Sequence, residues 1–243
     1  MTVVDPPDFE RGAVRPLECL RGGWRLVTTN YWLFVGITFV GTLLAGLGPH
    51  GILAGPCICG IYYCLMRHEY GRRVDFGMLF KGFDHFLQSW IATLLMLISM
   101  FVVMIPAYIV FFVSFVSTIP TQPRNAPLDE AWLWSFLGMM GLFYLALLLV
   151  VLAVHIAFFF TYPLIVDRGL TGIDAVKTSF RAVAANLPGV VGLVLLNALI
   201  GMAGVLCCYV GAILVMPVTF GATLMAYRQA FPDPEAELPA ESY

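Results

Sequence analysis

Charged side chains are scarce in this sequence. Only 12% of its 243 residues are Asp, Glu, Lys or Arg, whereas 60% are hydrophobic. A soluble domain carries about a quarter charged residues. The composition therefore excludes an ordinary soluble protein and predicts an all-α integral membrane protein, whose hydrogen-bonded helices cross the lipid. The net charge of −2 gives no sign of a nucleic-acid partner.

Sequence motifs of catalysis are also missing. The chain contains no G-x-S-x-G, no P-loop and no H-E-x-x-H. Two carboxylates and two imidazoles could gather on one side of the membrane: His68, Glu69, Asp84 and His85. Neither pair has the i, i+4 spacing of ligands on one helix, so a metal or acid–base site is the minor alternative. We expect no enzyme activity, no metal and no cofactor.

The apolar runs of the chain contain no Asp, Glu, Lys or Arg, and an intramembrane charge is the usual mark of an ion or proton pathway. The polar candidates inside these runs are His155 and Asn197. We interpret both as buried partners in hydrogen bonds between helices, with a proton carrier as the alternative for His155. The six cysteines fit a packing role better than a metal or redox pair.

Three amphipathic stretches each come directly before an apolar run. Their apolar residues recur at spacings of three and four, as on one stripe of an α-helix. The stripes are Leu17, Leu20, Trp24, Val27 and Tyr31; Phe76, Leu79, Phe83, Phe86 and Trp90; Ile173, Val176, Phe180, Val183 and Leu187. We interpret each stretch as an amphipathic surface helix that lies on the cytoplasmic side of the membrane.

The apolar runs predict six transmembrane helices in three parallel hairpins, each preceded by one of these surface helices. If both termini are cytoplasmic, Arg124 in the loop 119–131 is the only one of the 13 basic residues that lies outside. This asymmetry follows the positive-inside rule and predicts a multi-pass protein of the cell inner membrane with both termini cytoplasmic. The first residues lack a basic region and a cleavage site, so we expect the first span to direct insertion.

The first and third hairpin units share more than their spacing. The matched positions are Arg21 and Lys177, Arg25 and Arg181, Asn30 and Asn186, Gly36 and Gly192, Pro56-x-x-x-Gly60 and Pro217-x-x-x-Gly221, and Arg67 and Arg228. These matches predict one membrane domain, 1–230, built from the pseudo-repeats 13–70, 74–168 and 171–229. The repeats are parallel rather than inverted. Residues 231–243 are predicted to be a disordered acidic tail.

We expect the surface helices to meet the lipid. The predicted headgroup contacts are Arg21, Arg25, Lys81, Lys177 and Arg181. The predicted interfacial anchors are Trp24, Phe83, Phe180, Trp132 and Trp134. A basic residue near anionic lipid contributes about 1 kcal/mol of attraction. The alternative is an elbow that only steers the chain into the membrane.

The run YPLIVDRG at 162–169, with AVKTSFR at 175–181 and Asn186, resembles a widespread family of uncharacterised bacterial polytopic membrane proteins. That family is similar to the membrane domain fused to some glycerophosphoryl diester phosphodiesterases. The resemblance covers most of the chain and is clearest from Tyr162 to Arg228. It implies a structural membrane domain, because the phosphodiesterase activity of the fused relatives belongs to a separate soluble domain. No activity and no catalytic residue is therefore carried over.

These observations favour an integral inner-membrane protein without catalytic activity, which acts on membrane lipids or serves as a scaffold for other membrane proteins. A small transporter or channel is the first alternative, and a lipid-modifying membrane enzyme is the second. The expected partners are membrane lipids, with a membrane protein or a second copy as further candidates. A transporter should show a polar, water-accessible path, and an enzyme should bring His68, Glu69, Asp84 and His85 together.

Overall fold

The computed structural model describes residues 8–47, 51–118, 130–206 and 210–232. Its elements in chain order are α1 (Pro16–Thr28), α2 (Tyr31–Leu47), α3 (Ala54–Glu69), the 3₁₀ helix η1 (Phe76–His85), α4 (Phe86–Thr118), α5 (Glu130–Ala157), α6 (Thr161–Arg168), α7 (Gly172–Ala185), α8 (Leu187–Leu206) and α9 (Val210–Ala230). These described segments are helical and contain no strand, which confirms the all-α prediction. The predicted loop 119–129 and the tail beyond Pro232 lie outside them.

Several of these helices are long and apolar enough to cross a membrane, which supports the prediction of a membrane protein. Four qualify alone: Phe76–Ser117, Glu130–Arg168, Leu187–Leu206 and Val210–Ala230. The pair α1 and α2, bent by 105°, qualifies as one broken span and raises the number to five. Helix α3 has 16 residues and is about 24 Å long, short of the ~30 Å hydrocarbon core. The predicted six spans therefore exceed the number that length and composition support.

The chain forms two compact units, of which the first comprises residues 1–94 and 156–243. In this unit α1, η1 and α7 each come directly before a long apolar helix, and we call them the lead-in helices. Helix α1 packs against α9, η1 packs against α3, and α7 packs against α6. Each lead-in helix thus packs on the helix that ends the preceding predicted unit, and the contact between α1 and α9 joins the first predicted unit to the third.

Glycine makes the first two of these contacts close. A Cβ on Gly23 would overlap the backbone of Gly221 and Ala222 in α9, and a Cβ on Gly82 would overlap the backbone of Pro56 and Gly60 in α3. Close backbone approach is the usual role of small residues between helices in lipid. The aligned Pro-x-x-x-Gly segments therefore mark the places where α3 and α9 receive a lead-in helix.

The third contact is made by Ser179, which precedes Phe180 on the predicted stripe as Gly23 precedes Trp24. The Ser179 hydroxyl donates to the Ala157 carbonyl at 2.9 Å and accepts from the Phe160 N–H at 3.1 Å. These bonds satisfy backbone groups at the break between α5 and α6. The predicted fourth span is consequently interrupted where the serine enters.

The second unit comprises residues 95–155 and holds parts of α4 and α5. Its two helices meet through aromatic rings, with the Phe111 and Phe143 centroids 4.2 Å apart and the Phe115 and Phe136 centroids 5.7 Å apart. None of its described residues is fully buried. An apolar helix pair with this surface suits a lipid environment.

Candidate functional site

Three charged residues from distant parts of the first unit meet at the ends of α3, α6 and α9. The Arg228 guanidinium donates to both Asp167 oxygens through Nη1, at 3.1 and 3.2 Å, and to Glu69 through Nε at 3.0 Å. All three side chains are largely buried: Arg228 is 14% exposed, Asp167 is 10% exposed and Glu69 is 24% exposed. We call Glu69, Asp167 and Arg228 the helix-end cluster.

Two tyrosines extend this cluster. The Tyr227 hydroxyl donates to Asp167 at 2.6 Å, and the Arg228 guanidinium donates to the Tyr70 hydroxyl at 3.1 Å. Charged hydrogen bonds of this kind are stronger than neutral ones. Both carboxylates thus face an opposite charge, and Asp167 also accepts from Tyr227, so the cluster joins three helix ends rather than presenting a free reactive group.

The helix-end cluster escaped the sequence reasoning because its members are 61 and 159 residues apart in the chain. Charge counting treated Arg228 as one more cytoplasmic cation, and Glu69 was grouped with His68. One signal was available: Glu69, Asp167 and Arg228 each lie at the end of an apolar run. Alignment of the run ends would have placed them at one level of the bundle.

The four residues weighed as a metal or acid–base site are not brought together. Glu69 belongs to the helix-end cluster, Asp84 pairs with Lys81 at 3.7 Å, and the His68 ring lies 5.1 Å from the Phe34 ring. No group of three His, Cys, Asp or Glu residues suited to a metal ion occurs in the part of the chain that the structure describes. The described segments therefore do not assemble His68, Glu69, Asp84 and His85 into a metal site.

Helix α7 turns its small residues towards the protein. Its buried residues are Gly172, Ala175, Thr178, Ser179, Ala182 and Val183. By contrast Ile173 is 49% and Phe180 is 61% exposed. Most of the predicted apolar stripe therefore points away from the bundle, where a surface helix would meet lipid. Lys177 and Arg181 are exposed beside it.

Helix α1 repeats this division of faces. Cys19, Gly23 and Val27 are buried against the bundle. Trp24 is 53% exposed, and Arg21 and Arg25 are exposed near it on the same helix. A tryptophan with two arginines close by matches the preference of both side chains for the headgroup region.

The third lead-in helix, η1, is less basic. It buries Leu79 and Gly82, while Phe83 is half-buried and Phe80 is 51% exposed. Its lysine, Lys81, has Asp84 as a partner at 3.7 Å, and an exposed pair of this kind contributes little to stability. Among the other predicted anchors Trp134 is 71% exposed and Trp132 is half-buried.

The basic side chains of α1 and α7 have no such partner. Within the described segments, no ion pair engages Arg21, Arg25, Lys177 or Arg181. The acidic residues of these helices are occupied elsewhere. Glu18 pairs with Arg15 at 3.1 Å, and Asp174 accepts from the Thr171 hydroxyl that caps α7. Four exposed cations are thus left for an anionic partner outside these segments.

Residues 8–15, before α1, are tied to α7 and α9. The Asn186 amide accepts from the Ala13 N–H at 2.8 Å and donates to the Glu10 carbonyl at 2.8 Å. Gln229 accepts from the Arg15 N–H and from the Cys19 thiol. Burial raises the pKa of that thiol to about 11, so Cys19 remains a neutral donor at physiological pH.

The predicted polar residues of the spans lie apart from these sites. His155 is exposed on the second unit, so the protein itself does not bury it. Asn197 is half-buried in α8, and its Oδ1 atom is buried without a hydrogen-bond partner among the described residues. Deeper in the first unit, Thr93 and Tyr162 share a hydrogen bond of 3.1 Å, and Tyr62 is buried nearby.

Comparison with known families accounts for most of the chain. Residues 73–240 match the family described as "Domain of unknown function (DUF7847)". The protein belongs to the DUF7847 family. The matched part contains Asp167, Arg228, Lys177 and Arg181, whereas α1 and Glu69 precede it. None of the curated proteins and none of the solved structures compared with the chain matches it.

Proposed function

We propose that this DUF7847 protein is a non-enzymatic membrane protein that binds anionic lipid headgroups through its lead-in helices α1 and α7. One observation carries the proposal. On both helices the small residues pack on the bundle, while an exposed aromatic residue lies beside exposed cations that no described residue pairs with. An amphipathic helix with this pattern suits the headgroup layer.

The charge on these helices sets the scale of the attraction. Arg21, Arg25, Lys177 and Arg181 together contribute up to about 4 kcal/mol near an anionic leaflet, at about 1 kcal/mol each. Trp24 and Phe180 add apolar contact at the level where the headgroups meet the acyl chains. Lys81 contributes less because it already has Asp84 as a partner.

The proposal includes the predicted architecture. Six spans in three parallel repeats would bring all lead-in helices to one leaflet, and the charge asymmetry makes that leaflet cytoplasmic in an inner membrane. The packing of α1 on α9, η1 on α3 and α7 on α6 supports the repeat, because equivalent helices then make equivalent contacts. In this view the helix-end cluster holds the three repeats together at the cytoplasmic side.

The alternatives receive less support. A lipid-modifying enzyme needs a reactive centre, and His68, Asp84 and Glu69 have separate partners. A transporter needs a polar path, and Tyr62 and Tyr162 are buried in the core of the first unit, only 5% and 9% exposed. The similarity to a phosphodiesterase membrane domain stays a prediction, because the family match carries no link to it, and it adds no activity. Scaffolding of a partner protein remains compatible with the lipid-binding proposal.

The test is retention of anionic lipid by the purified protein. We expect the variant Arg21→Ala, Arg25→Ala, Lys177→Ala, Arg181→Ala to lose most of the phosphatidylglycerol that the wild-type protein keeps, as counted by native mass spectrometry. The loss corresponds to up to about 4 kcal/mol. Thermal stability should change little, because these four side chains make no ion pair with described residues.

Lys81→Ala is the matched control, since it removes a basic residue of a lead-in helix that already has a carboxylate partner. It should keep nearly all the lipid. Equal lipid retention by the quadruple variant and the wild-type protein would show that α1 and α7 are elbows without a headgroup role.

A further inference from the structure

The residues after α9 carry charge of one sign. The acidic tail, defined as residues 233–243, contains Asp233, Glu235, Glu237 and Glu241 and no Lys or Arg. Helices α1 and α7 carry the opposite charge: they expose four cations that have no ion-pair partner among the described residues. The numbers of negative and positive side chains are equal, so the tail complements these two helices.

The end of α9 fixes where this tail begins. Phe231 is fully buried, with its ring centroid 5.9 Å from that of Phe160 and 6.1 Å from that of Phe9. Arg168, four residues before α7, donates to the Pro232 carbonyl at 3.3 Å. The tail therefore starts from an anchored point beside the N-terminal side of α7.

The same point lies beside α1. Gln229 accepts from the N–H of Arg15, directly before α1, and the Ala230 carbonyl accepts from the Glu10 N–H at 2.9 Å. The Gly12 N–H in turn donates to the Ala185 carbonyl at the end of α7. The end of α9, from which the tail continues, is thus linked directly to the start of α1 and, through residues 10–12, to the end of α7.

The tail is long enough to reach their cations. From Asp233 to Glu241 an extended chain spans up to about 30 Å. Along α7 the rise from Lys177 to Ala185 is only about 12 Å. Because the tail is tethered, its carboxylates are present near these cations at an effective concentration in the millimolar range.

We infer that the acidic tail binds the exposed cations of α1 and α7 and competes there with anionic headgroups. This inference rests on the proposed function, because the tail and the lipid share one binding surface. The tail shields the cations where anionic lipid is sparse, and a leaflet rich in anionic lipid displaces it. Lipid binding then depends steeply on the anionic fraction of the leaflet, and high salt weakens both interactions.

The first experiment detects the tail on the helices without any lipid. A carbodiimide joins a carboxylate to an amine only when the two are in contact, and the chain has just two lysines, Lys81 and Lys177. In the full-length protein in neutral detergent we expect a crosslink from Glu235 or Glu237 to Lys177, identified by peptide mass spectrometry. Phosphatidylglycerol should abolish it. Crosslinks to Lys81 alone, or to neither lysine, would overturn the inference.

The second experiment measures the competition. The variant Asp233→Asn, Glu235→Gln, Glu237→Gln, Glu241→Gln should bind dioctanoyl phosphatidylglycerol in detergent with an apparent Kd about tenfold lower than the wild-type protein. Glu130→Gln, which removes one exposed carboxylate from α5, is the control and should leave the Kd unchanged.

The two proposals fail in different ways. If the quadruple variant of α1 and α7 keeps its lipid, the headgroup proposal fails and the tail loses its competitor. If that variant loses lipid while the tail variant binds lipid like the wild type, the headgroup proposal stands and the inference about the tail is wrong.

Discussion

Arg228 is the residue that joins the two carboxylates of the helix-end cluster. Its guanidinium lies between Asp167 and Glu69, and all three side chains are largely shielded from solvent. Removal of one partner from such a group leaves buried charge less well compensated, which costs more than the pair contributes when intact. The cluster therefore matters chiefly through what its disruption would leave behind.

We predict that Arg228→Met lowers the free energy of unfolding by about 3 kcal/mol, because it removes one largely buried counter-charge from both Asp167 and Glu69. Thermal unfolding of the detergent-solubilised protein measures the effect. Arg72→Met, at an exposed position in the connection between α3 and η1, is the matched control and should change stability by less than about 0.5 kcal/mol. Equal stability of the two variants would show that the cluster does not hold the helix ends.

At the scale of single elements, the contact between α1 and α9 depends on Gly23 and much less on its neighbour Gly22. A Cβ on Gly23 would overlap backbone atoms of Gly221 and Ala222, which cannot move aside separately. A Cβ on Gly22 would instead lie 2.9 Å from Cγ of Met225, the flexible side chain of a residue that can change rotamer. The two glycines are neighbours in the same helix and share their sequence context, but Gly23 is buried and Gly22 is half-buried.

We predict that Gly23→Ala destabilises the protein by about 1–3 kcal/mol through overpacking. Gly22→Ala should be near neutral, since the helix propensity gained, up to about 1 kcal/mol, offsets the rearrangement of Met225. Thermal unfolding of both variants under one set of conditions makes the comparison. If both variants lose the same stability, the close approach of α1 and α9 is not the cause.

The lead-in helices also show how far the sequence determines this fold. The spacing of Ile173 and Phe180 predicted a helix here, and the structure has one at Gly172–Ala185 with Thr171 as its cap. Periodicity did not reveal which face packs on protein, because a membrane protein has two apolar environments. Bilayer and bundle both accept apolar side chains, so the large residues met one and the small residues the other.

Two other features could not be predicted from helical periodicity, for a different reason. They are the break between α5 and α6, and the helix-end cluster. The break depends on Ser179 entering from a helix about twenty residues later, and the cluster depends on Glu69 meeting Arg228 across 159 residues. Local patterns carry no information on which distant residues meet. The sequence predicts that α1 and α9 are helices, but only the structure shows that they pack against each other.

At the scale of the whole molecule, α1 packs like the lead-in helices of the family region, although the DUF7847 match begins after α1, at residue 73. Helix α9 presents Gly221 and Ala222 to α1 as α3 presents Pro56 and Gly60 to η1. Without α1, that part of α9 would be uncovered. The first predicted repeat therefore completes contacts that the matched region leaves open.

The orientation of the molecule is the last prediction and the one on which the lipid proposal depends, because α1 and α7 must face an anionic leaflet. With both termini cytoplasmic, all basic residues except Arg124 are cytoplasmic, which is the arrangement that the positive-inside rule favours.

We expect a membrane-impermeant maleimide applied to intact cells to label Glu130→Cys and to leave Arg72→Cys unlabelled until the cells are opened. Both positions are exposed, so access to the reagent and not burial decides the result. Both substitutions are made in a Cys207→Ser, Cys208→Ser background, which also serves as the blank, because the other four cysteines, Cys19, Cys57, Cys59 and Cys64, are buried. Labelling of Arg72→Cys alone in intact cells would invert the topology and place the cations of α1 and α7 on the wrong leaflet.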